Sequence, residues 1–248
     1  MIYDIATIVW REMIILRRRL KAFLFTRMVS PFLYLLTFGL GLGRSVQIAG
    51  SGNYLDFIIS GIIAMNSMMV CFNTVASPIC MSRILYMTFD EYQTAPISSW
   101  SYVLGHAVAA AIRGVISSCI IVVIAYFFGC RLNIDVNFIL VLLANCFIFS
   151  FIGIIAAMFA SSHENLNTFT TYVITPMSFL CGVFFRLDNS PGFLAKAIAF
   201  LPLTPASTSL RAIGSGGQAN SFDIAILLVY LLLAAFLANK SVGYVRRI

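Results

Sequence analysis

The chain has 248 residues, of which 60% are hydrophobic and only 10% are charged. Its mean hydropathy is +0.96, whereas soluble domains are about 45–50% apolar and about 25% charged. This composition excludes a soluble globular protein, and the net charge of +7 does not indicate nucleic acid because the basic residues flank apolar runs. A membrane span takes roughly 20 residues, so six spans would leave no room for a separate soluble catalytic domain.

The first predicted element is an amphipathic helix. Apolar residues recur at helical spacing from Ile2 to Leu20, which is typical of an interfacial helix lying on a membrane surface. A basic run, Arg17 to Lys21, follows, with Arg27 beyond it. This run imitates the leader of a signal peptide, but it is long and no A-x-A cleavage site follows. We therefore predict a first span that begins after these basic residues and ends near Gly43.

Five further apolar runs have spanning length and polar or charged boundaries. They are Leu55 to Ile79, Tyr102 to Gly129, Phe138 to Ala160, Thr168 to Phe185, and Phe222 to Ala238. Six spans put both termini on one side. If that side is the cytoplasm, ten Lys and Arg residues lie inside and five lie outside, in agreement with the positive-inside rule. We thus expect one multi-pass transmembrane domain, residues 1–248, in the inner membrane.

The segment from Arg186 to Gly217 is too polar for a full span and too apolar for a free loop. Three prolines in this segment, Pro191, Pro202 and Pro205, prevent a continuous helix. These features predict a short re-entrant hairpin in the outer leaflet, because irregular backbone at that depth must be buried in protein or line a cavity. The residues expected to form an exit gate there are Phe193, Leu201, Pro202 and Pro205.

Arg113 is the only strongly charged residue well inside a predicted span. A charge there costs about 2.5–3.5 kcal/mol on insertion scales, and it usually marks function or an internal ion pair. The alternative is a side chain that snorkels or binds the carbonyls of a neighbouring helix. Asp and Glu are absent from mid-span positions, which argues against a proton-coupled carrier.

The loop between the second and third spans carries the strongest candidate for a partner site. Residues Met81 to Gln93 mix apolar and acidic side chains, and Pro96 stops the segment. We predict a coupling helix in which Phe89, Asp90 and Glu91 contact a partner protein. The alternative is that this segment is merely the solvated end of the second span.

Nucleotide and metal sites are not indicated on this chain. A P-loop needs a Gly-Lys step, and the three lysines follow Leu20, Ala195 and Asn239. Six cysteines lie mostly within apolar stretches and never approach C-x-x-C spacing, so we interpret them as buried packing residues rather than zinc ligands or disulfides.

Two stretches resemble the type-2 ABC exporter permeases. The first is Phe89 to Ser98, followed by Tyr102 to His106 and Arg113, and it resembles the intracellular loop and third helix of that family. The second is Thr171 to Phe185, followed by the Leu201-Pro202-Leu203-Thr204-Pro205 run. It is similar to the proline-rich signature near the end of these permeases, and the likeness leans toward the nodulation and daunorubicin exporter branch.

The resemblance implies an all-helical homodimer or pseudo-dimer of six-helix subunits, formed with a second copy or a paralogous permease. Each subunit would dock on one of two cytosolic ATPase copies, which bind ATP and Mg, so that this chain carries no cofactor and is not an enzyme. The substrate would be amphipathic: a lipid, glycan, glycolipid or drug. Two other functions remain open, an ATPase-independent channel or membrane scaffold, and an intramembrane enzyme, although no nucleophile with a base stands out in the spans.

Overall fold

The structure is a computed structural model that describes residues 1–37, 54–94, 97–130, 132–181 and 198–245. Within these ranges all regular secondary structure is helical. The helices in chain order are α1 (Ile2–Arg18), α2 (Leu20–Leu36), α3 (Tyr54–Ile84), α4 (Phe89–Thr94), α5 (Ser99–Phe127), α6 (Val136–Phe159), α7 (His163–Phe169), α8 (Thr175–Leu180), α9 (Leu203–Gly214) and α10 (Ser221–Val245).

Four of the six predicted spans are found as helices long and apolar enough to cross a membrane. They are Phe57–Ile84, Ser99–Phe127, Val136–Phe159 and Ser221–Val245. The predicted first and fifth spans run into residues 38–53 and 182–197, which lie outside the described residues, as do Gly43, Arg186, Pro191 and Phe193. Six spans, the interfacial position of α1 and the re-entrant hairpin therefore stay predictions.

Helix α3 lies at the centre of the bundle and packs against α5, α6 and α9. The amide of Asn66 donates a hydrogen bond to the Ser117 hydroxyl of α5 at 2.7 Å. The amide of Asn145 on α6 donates to the Ser67 hydroxyl at 2.9 Å. Such bonds between apolar helices fix their relative rotation, because dispersion contacts alone are similar at many rotations.

Helices α3, α5 and α6 approach one another very closely at Gly114 of α5. A Cβ at this position would lie 2.5 Å from the Cys71 sulfur of α3 and 2.8 Å from the Cys146 sulfur of α6. Cys71 also donates a hydrogen bond to the Ala110 carbonyl at 3.4 Å. Both cysteines are fully buried, so they fill the space that the glycine leaves, which agrees with their interpretation as packing residues.

The helical segment that contains α7 and α8 is interrupted by one turn of π-helix. This turn covers Thr170–Ile174, and Pro176 lies at the start of α8. Proline has no amide hydrogen to donate. The Thr170 carbonyl accepts the backbone amide of Thr175 and also the Thr175 hydroxyl at 3.1 Å, so both groups of Thr175 hold the π turn. The turn therefore has an identifiable local cause in the sequence.

Helices α3 and α5 are about 46 and 43 Å long at 1.5 Å per residue, and they exceed a hydrocarbon core of about 30 Å. Their ends near Ile84 and Ser99 are joined through α4. The ends of α3 and α5 can therefore extend beyond the hydrocarbon core, and α4, which joins them, would then lie outside it. The same end of the bundle holds α7, because Arg83 at the end of α3 donates a hydrogen bond to the Ala160 carbonyl after α6.

Candidate functional site at the meeting point of α1, α4 and α5

Arg113 is buried in the middle of α5 and pairs with Glu12 of α1. Its Nη2 atom lies 2.8 Å from the Glu12 Oε2 atom and 2.8 Å from the Glu12 carbonyl oxygen. Arg113 is 7% exposed and Glu12 is 9% exposed. The guanidinium thus has both a counter-charge and a main-chain acceptor, which offset much of the cost of removing it from water.

Glu12 is the residue that sequence reasoning missed. The sequence-based prediction concerned acidic residues at mid-span positions, whereas Glu12 belongs to the amphipathic leader. The signal was nevertheless present, because Glu12 lies one turn from Ile8 and one turn from Leu16, and these three residues form the buried face of α1. An acidic side chain on the apolar face of a helix points to a buried basic partner.

The same face of α1 lies along α5 in parallel. Ser101 donates a hydrogen bond to Asp4 at 3.3 Å, and Ile8 occupies the space beside Gly105, where a Cβ would lie 2.8 Å from the Ile8 Cβ. The second contact lies four residues beyond the first on both helices, about one turn, and Arg113 lies eight residues beyond Gly105. Because helical side chains lean toward the helix N-terminus, the long Arg113 side chain reaches back to Glu12.

Arg11, the neighbour of Glu12, connects α1 to α4. Its Nη1 atom donates a hydrogen bond to the Tyr92 hydroxyl at 2.6 Å and lies 3.9 Å from Glu12 Oε1. Its guanidinium carbon lies 5.9 Å from the centre of the Tyr92 ring. Adjacent residues of α1 therefore bind two different helices, Arg11 to α4 and Glu12 to α5.

An aromatic cluster holds α4 against α5. The rings of Phe89 and Tyr92 lie edge-on to Tyr102, with centroids 5.7 and 5.2 Å away. The centroid of the Tyr102 ring lies 4.6 Å from the centroid of the His106 imidazole. Edge-to-face pairs contribute roughly 0.5–1.5 kcal/mol each beyond their buried area, so α4 is fixed by its aromatic face.

The predicted coupling residues are placed on different sides of α4. Phe89 is buried, at 3% exposure, and Glu91 is exposed. Asp90 belongs to α4, but its side chain lies outside the described part of the structure, as does Pro96. Phe89 therefore packs against the rest of the bundle and is not exposed for direct contact with a partner. Glu91 is exposed at the surface.

Three of the four residues of the predicted exit gate are described, and each of them is buried or half-buried. Pro205 lies in the first turn of α9 and is buried, and Leu201 and Pro202 are half-buried just before it. Two buried hydroxyls of this helix have main-chain acceptors, because Ser207 donates to the Cys181 carbonyl at 2.8 Å and Thr204 to the Ile198 carbonyl at 2.6 Å. The structure does not bring these residues near Arg113 or Glu91.

On the side of α9 that faces α3, Arg211 lies over an aromatic ring. Its guanidinium carbon is 3.7 Å from the centre of the Phe57 ring. Thr208, one turn earlier, donates a hydrogen bond to Asp223 of α10 at 2.9 Å. Charged and polar contacts therefore tie α9 to the beginnings of α3 and α10.

The described helices define a multi-pass helical membrane protein in which charged side chains join an N-terminal helix to a loop helix and a span. Residues 3–214 match the family described as ABC-2 type transporter, and the chain belongs to this family. It is 25% identical over 166 residues to the inner membrane transport permease YadH of Escherichia coli K12, a match that covers 66% of this chain and 64% of YadH.

Matches to nodulation proteins are longer. The chain is 26% identical over 237 residues to nodulation protein J of Rhizobium leguminosarum bv. trifolii, covering 93% of this chain and 90% of that protein. It is 26% identical over 236 residues to nodulation protein J of Rhizobium meliloti, with the same coverage. These findings confirm the predicted resemblance to exporter permeases of the ABC-2 type.

Proposed function

We propose that this chain is the membrane-spanning subunit of an ATP-driven exporter in the inner membrane. It pairs with a second copy or a paralogous permease and moves an amphipathic substrate, a lipid, glycan, glycolipid or drug. ATP and Mg are bound by two copies of a separate cytosolic ATPase. Family membership supports the transport role, and the name of YadH supports the inner membrane.

The main support for an ATPase partner comes from the contacts that hold α4 in the bundle. Its buried side fixes it to α5 through Phe89 and Tyr92, and Arg11 ties it to α1. Its Glu91 side is exposed. A short helix that is anchored on one face and open on the other is suited to receive a push from a docked protein and to pass it to α1 and α5.

A pull-down with charge-reversed α4 tests this function. The doubly reversed variant, Asp90→Arg with Glu91→Arg, should lose co-purification of the ATPase or its substrate-stimulated hydrolysis, because acidic contacts to the partner become repulsive. The matched control is Glu164→Arg, since Glu164 is also exposed and belongs to α7 at the same end of the bundle. The control should behave as the unchanged chain.

The competing function is an ATPase-independent channel or scaffold. That function requires no partner at α4, so the reversed variant and the control would then give the same result. If no ATPase co-purifies stoichiometrically with the unchanged chain from its native membranes, the exporter proposal is wrong.

A further inference from the structure

The corner between α1 and α2 carries an exposed basic cluster, Arg17, Arg18, Arg19 and Lys21. The ion pairs at Asp4 and Glu12 do not involve a member of this basic cluster. The sequence offers no carboxylate nearby, since no Asp or Glu occurs between Glu12 and Asp56. Four like charges are therefore held together on the surface with no counter-charge from the described side chains.

Exposed apolar side chains begin directly after the basic cluster. On α2, Phe25 is 77% exposed, and Val29 and Leu33 are each more than half exposed. An exposed apolar helix face of this length is expected to face lipid. The change from cations to lipid-facing side chains takes little more than one helical turn, about the depth over which a bilayer changes from headgroups to acyl chains.

The outer face of α1 carries exposed aromatic side chains. Tyr3, Trp10 and Arg17 are spaced by seven residues, so they lie nearly in line on the helix. This line is opposite to the buried face of Ile8, Glu12 and Leu16. Tyr3 is 88% exposed and Trp10 is 67% exposed. Aromatic side chains with a polar group favour the glycerol and headgroup level of a membrane.

We infer that the basic cluster, with Trp10 beside it, is a binding site for the headgroups of anionic phospholipids. The cations supply the charge complementarity, and the continuous apolar strip of α2 places them at headgroup height. Basic residues next to a span concentrate acidic lipids in this way. Arginine adds directional hydrogen bonds to phosphate oxygens. Because Glu12 precedes the cluster by little more than one turn, bound lipid also holds α1 in place against α5.

Fluorescence quenching of Trp10 tests the site. The full chain with Trp100→Phe, which removes the other tryptophan, is reconstituted in vesicles of phosphatidylcholine with about one quarter phosphatidylglycerol. Bromines are placed on the acyl chains either of the phosphatidylglycerol or of an equal amount of phosphatidylcholine. We expect brominated phosphatidylglycerol to quench about twice as strongly, because the anionic lipid is enriched at the cluster.

Two controls separate the cluster from general effects. Replacing all four cations by Gln should bring the quenching ratio to one, whereas replacing the three arginines by Lys should keep most of the preference. Salt offers a test without substitution, since the Debye length falls to about 3 Å at 1 M and the ratio in the unchanged cluster should fall with it.

Equal quenching by both brominated lipids at low salt would overturn the inference, and so would the absence of quenching by either. A preference that survives the Gln variant would assign the anionic lipid to another surface. A cluster that binds an acidic protein rather than lipid would give the same ratio of one in pure vesicles.

Discussion

The Nη2 atom of Arg113 lies 2.8 Å from the Oε2 atom of Glu12, and this ion pair joins the centre of α5 to the N-terminal helix across 101 positions of sequence. Since both residues are buried, removing either side chain leaves the other charge buried without a counter-charge. The pair thus makes α1 part of the bundle rather than a detached leader.

We predict that Arg113→Ala and Glu12→Ala each destabilise the protein by about 3–5 kcal/mol, because each leaves an uncompensated buried charge. Arg113→Lys should be partly tolerated if charge alone matters. The double variant Glu12→Leu with Arg113→Leu should be more stable than either single Ala variant. Thermal unfolding in detergent, followed by size-exclusion chromatography, measures this order. Full stability and activity of Arg113→Leu alone would mean that the arginine is incidental.

A second prediction concerns the close approach at Gly114. Gly114→Ala should destabilise the bundle by about 1–3 kcal/mol through overpacking against two sulfur atoms. Adding Cys71→Ala and Cys146→Ala should recover part of this loss, because the sulfurs are the atoms that the new Cβ meets. The control is Gly243→Ala on α10, whose Cβ would meet only the Ser99 hydroxyl at 4.0 Å. Failure of the two cysteine substitutions to relieve the defect would contradict the prediction.

The hydrogen bond between Arg11 and Tyr92 gives a third prediction. Tyr92→Phe removes the hydroxyl but keeps the ring that packs on Tyr102. Because Arg11 is half-exposed, the loss of stability should be small, about 0.5–1 kcal/mol after solvent screening. Substrate-stimulated ATP hydrolysis should nevertheless fall. Arg11→Gln should lower hydrolysis by the same amount. The double variant should lose no more hydrolysis than either single variant, since both substitutions break the same contact.

Both termini are predicted to be cytoplasmic on the basis of the ten-to-five distribution of basic residues. A reporter that is active only in the periplasm should give no signal when it is fused to either end. A strong signal at the C-terminus would require an odd number of spans, and the six-span prediction would then be wrong.

The predicted outer hairpin is tested by labelling single cysteines from the periplasmic side. In a background without native cysteines, positions 193 to 203 should differ in reactivity, with a cysteine at Leu203 protected because this residue is fully buried. A cysteine at Phe200, which is 79% exposed, serves as the comparison within the same segment. Uniform labelling of all positions, as in a solvated loop, would exclude the hairpin.

The sequence predicted four spans that the structure contains, because a membrane imposes one simple requirement, a helix of about 20 apolar residues. It also located Arg113, since an intramembrane charge is a local pattern. The coupling helix predicted over Met81 to Gln93 overlaps α4 only from Phe89 onward, because α3 continues to Ile84. The sequence did not predict Glu12 as the partner of Arg113, or Phe89 as a buried anchor, because both depend on which helices lie side by side. Pairing across 101 residues is a tertiary property that composition and periodicity do not encode.

The positions of Arg11 and Glu12 have a mechanical consequence for α1. Neighbouring side chains on a helix project about 100° apart, and these two hold separate helices, α4 and α5. Two anchors in different directions remove both sliding along the helix axis and rotation about it. A displacement of α4 relative to α5 must therefore break one of the two contacts. When α4 and α5 move together, α1 moves with them, and Arg19, where α1 ends before α2 begins, is the point at which α1 can turn relative to α2.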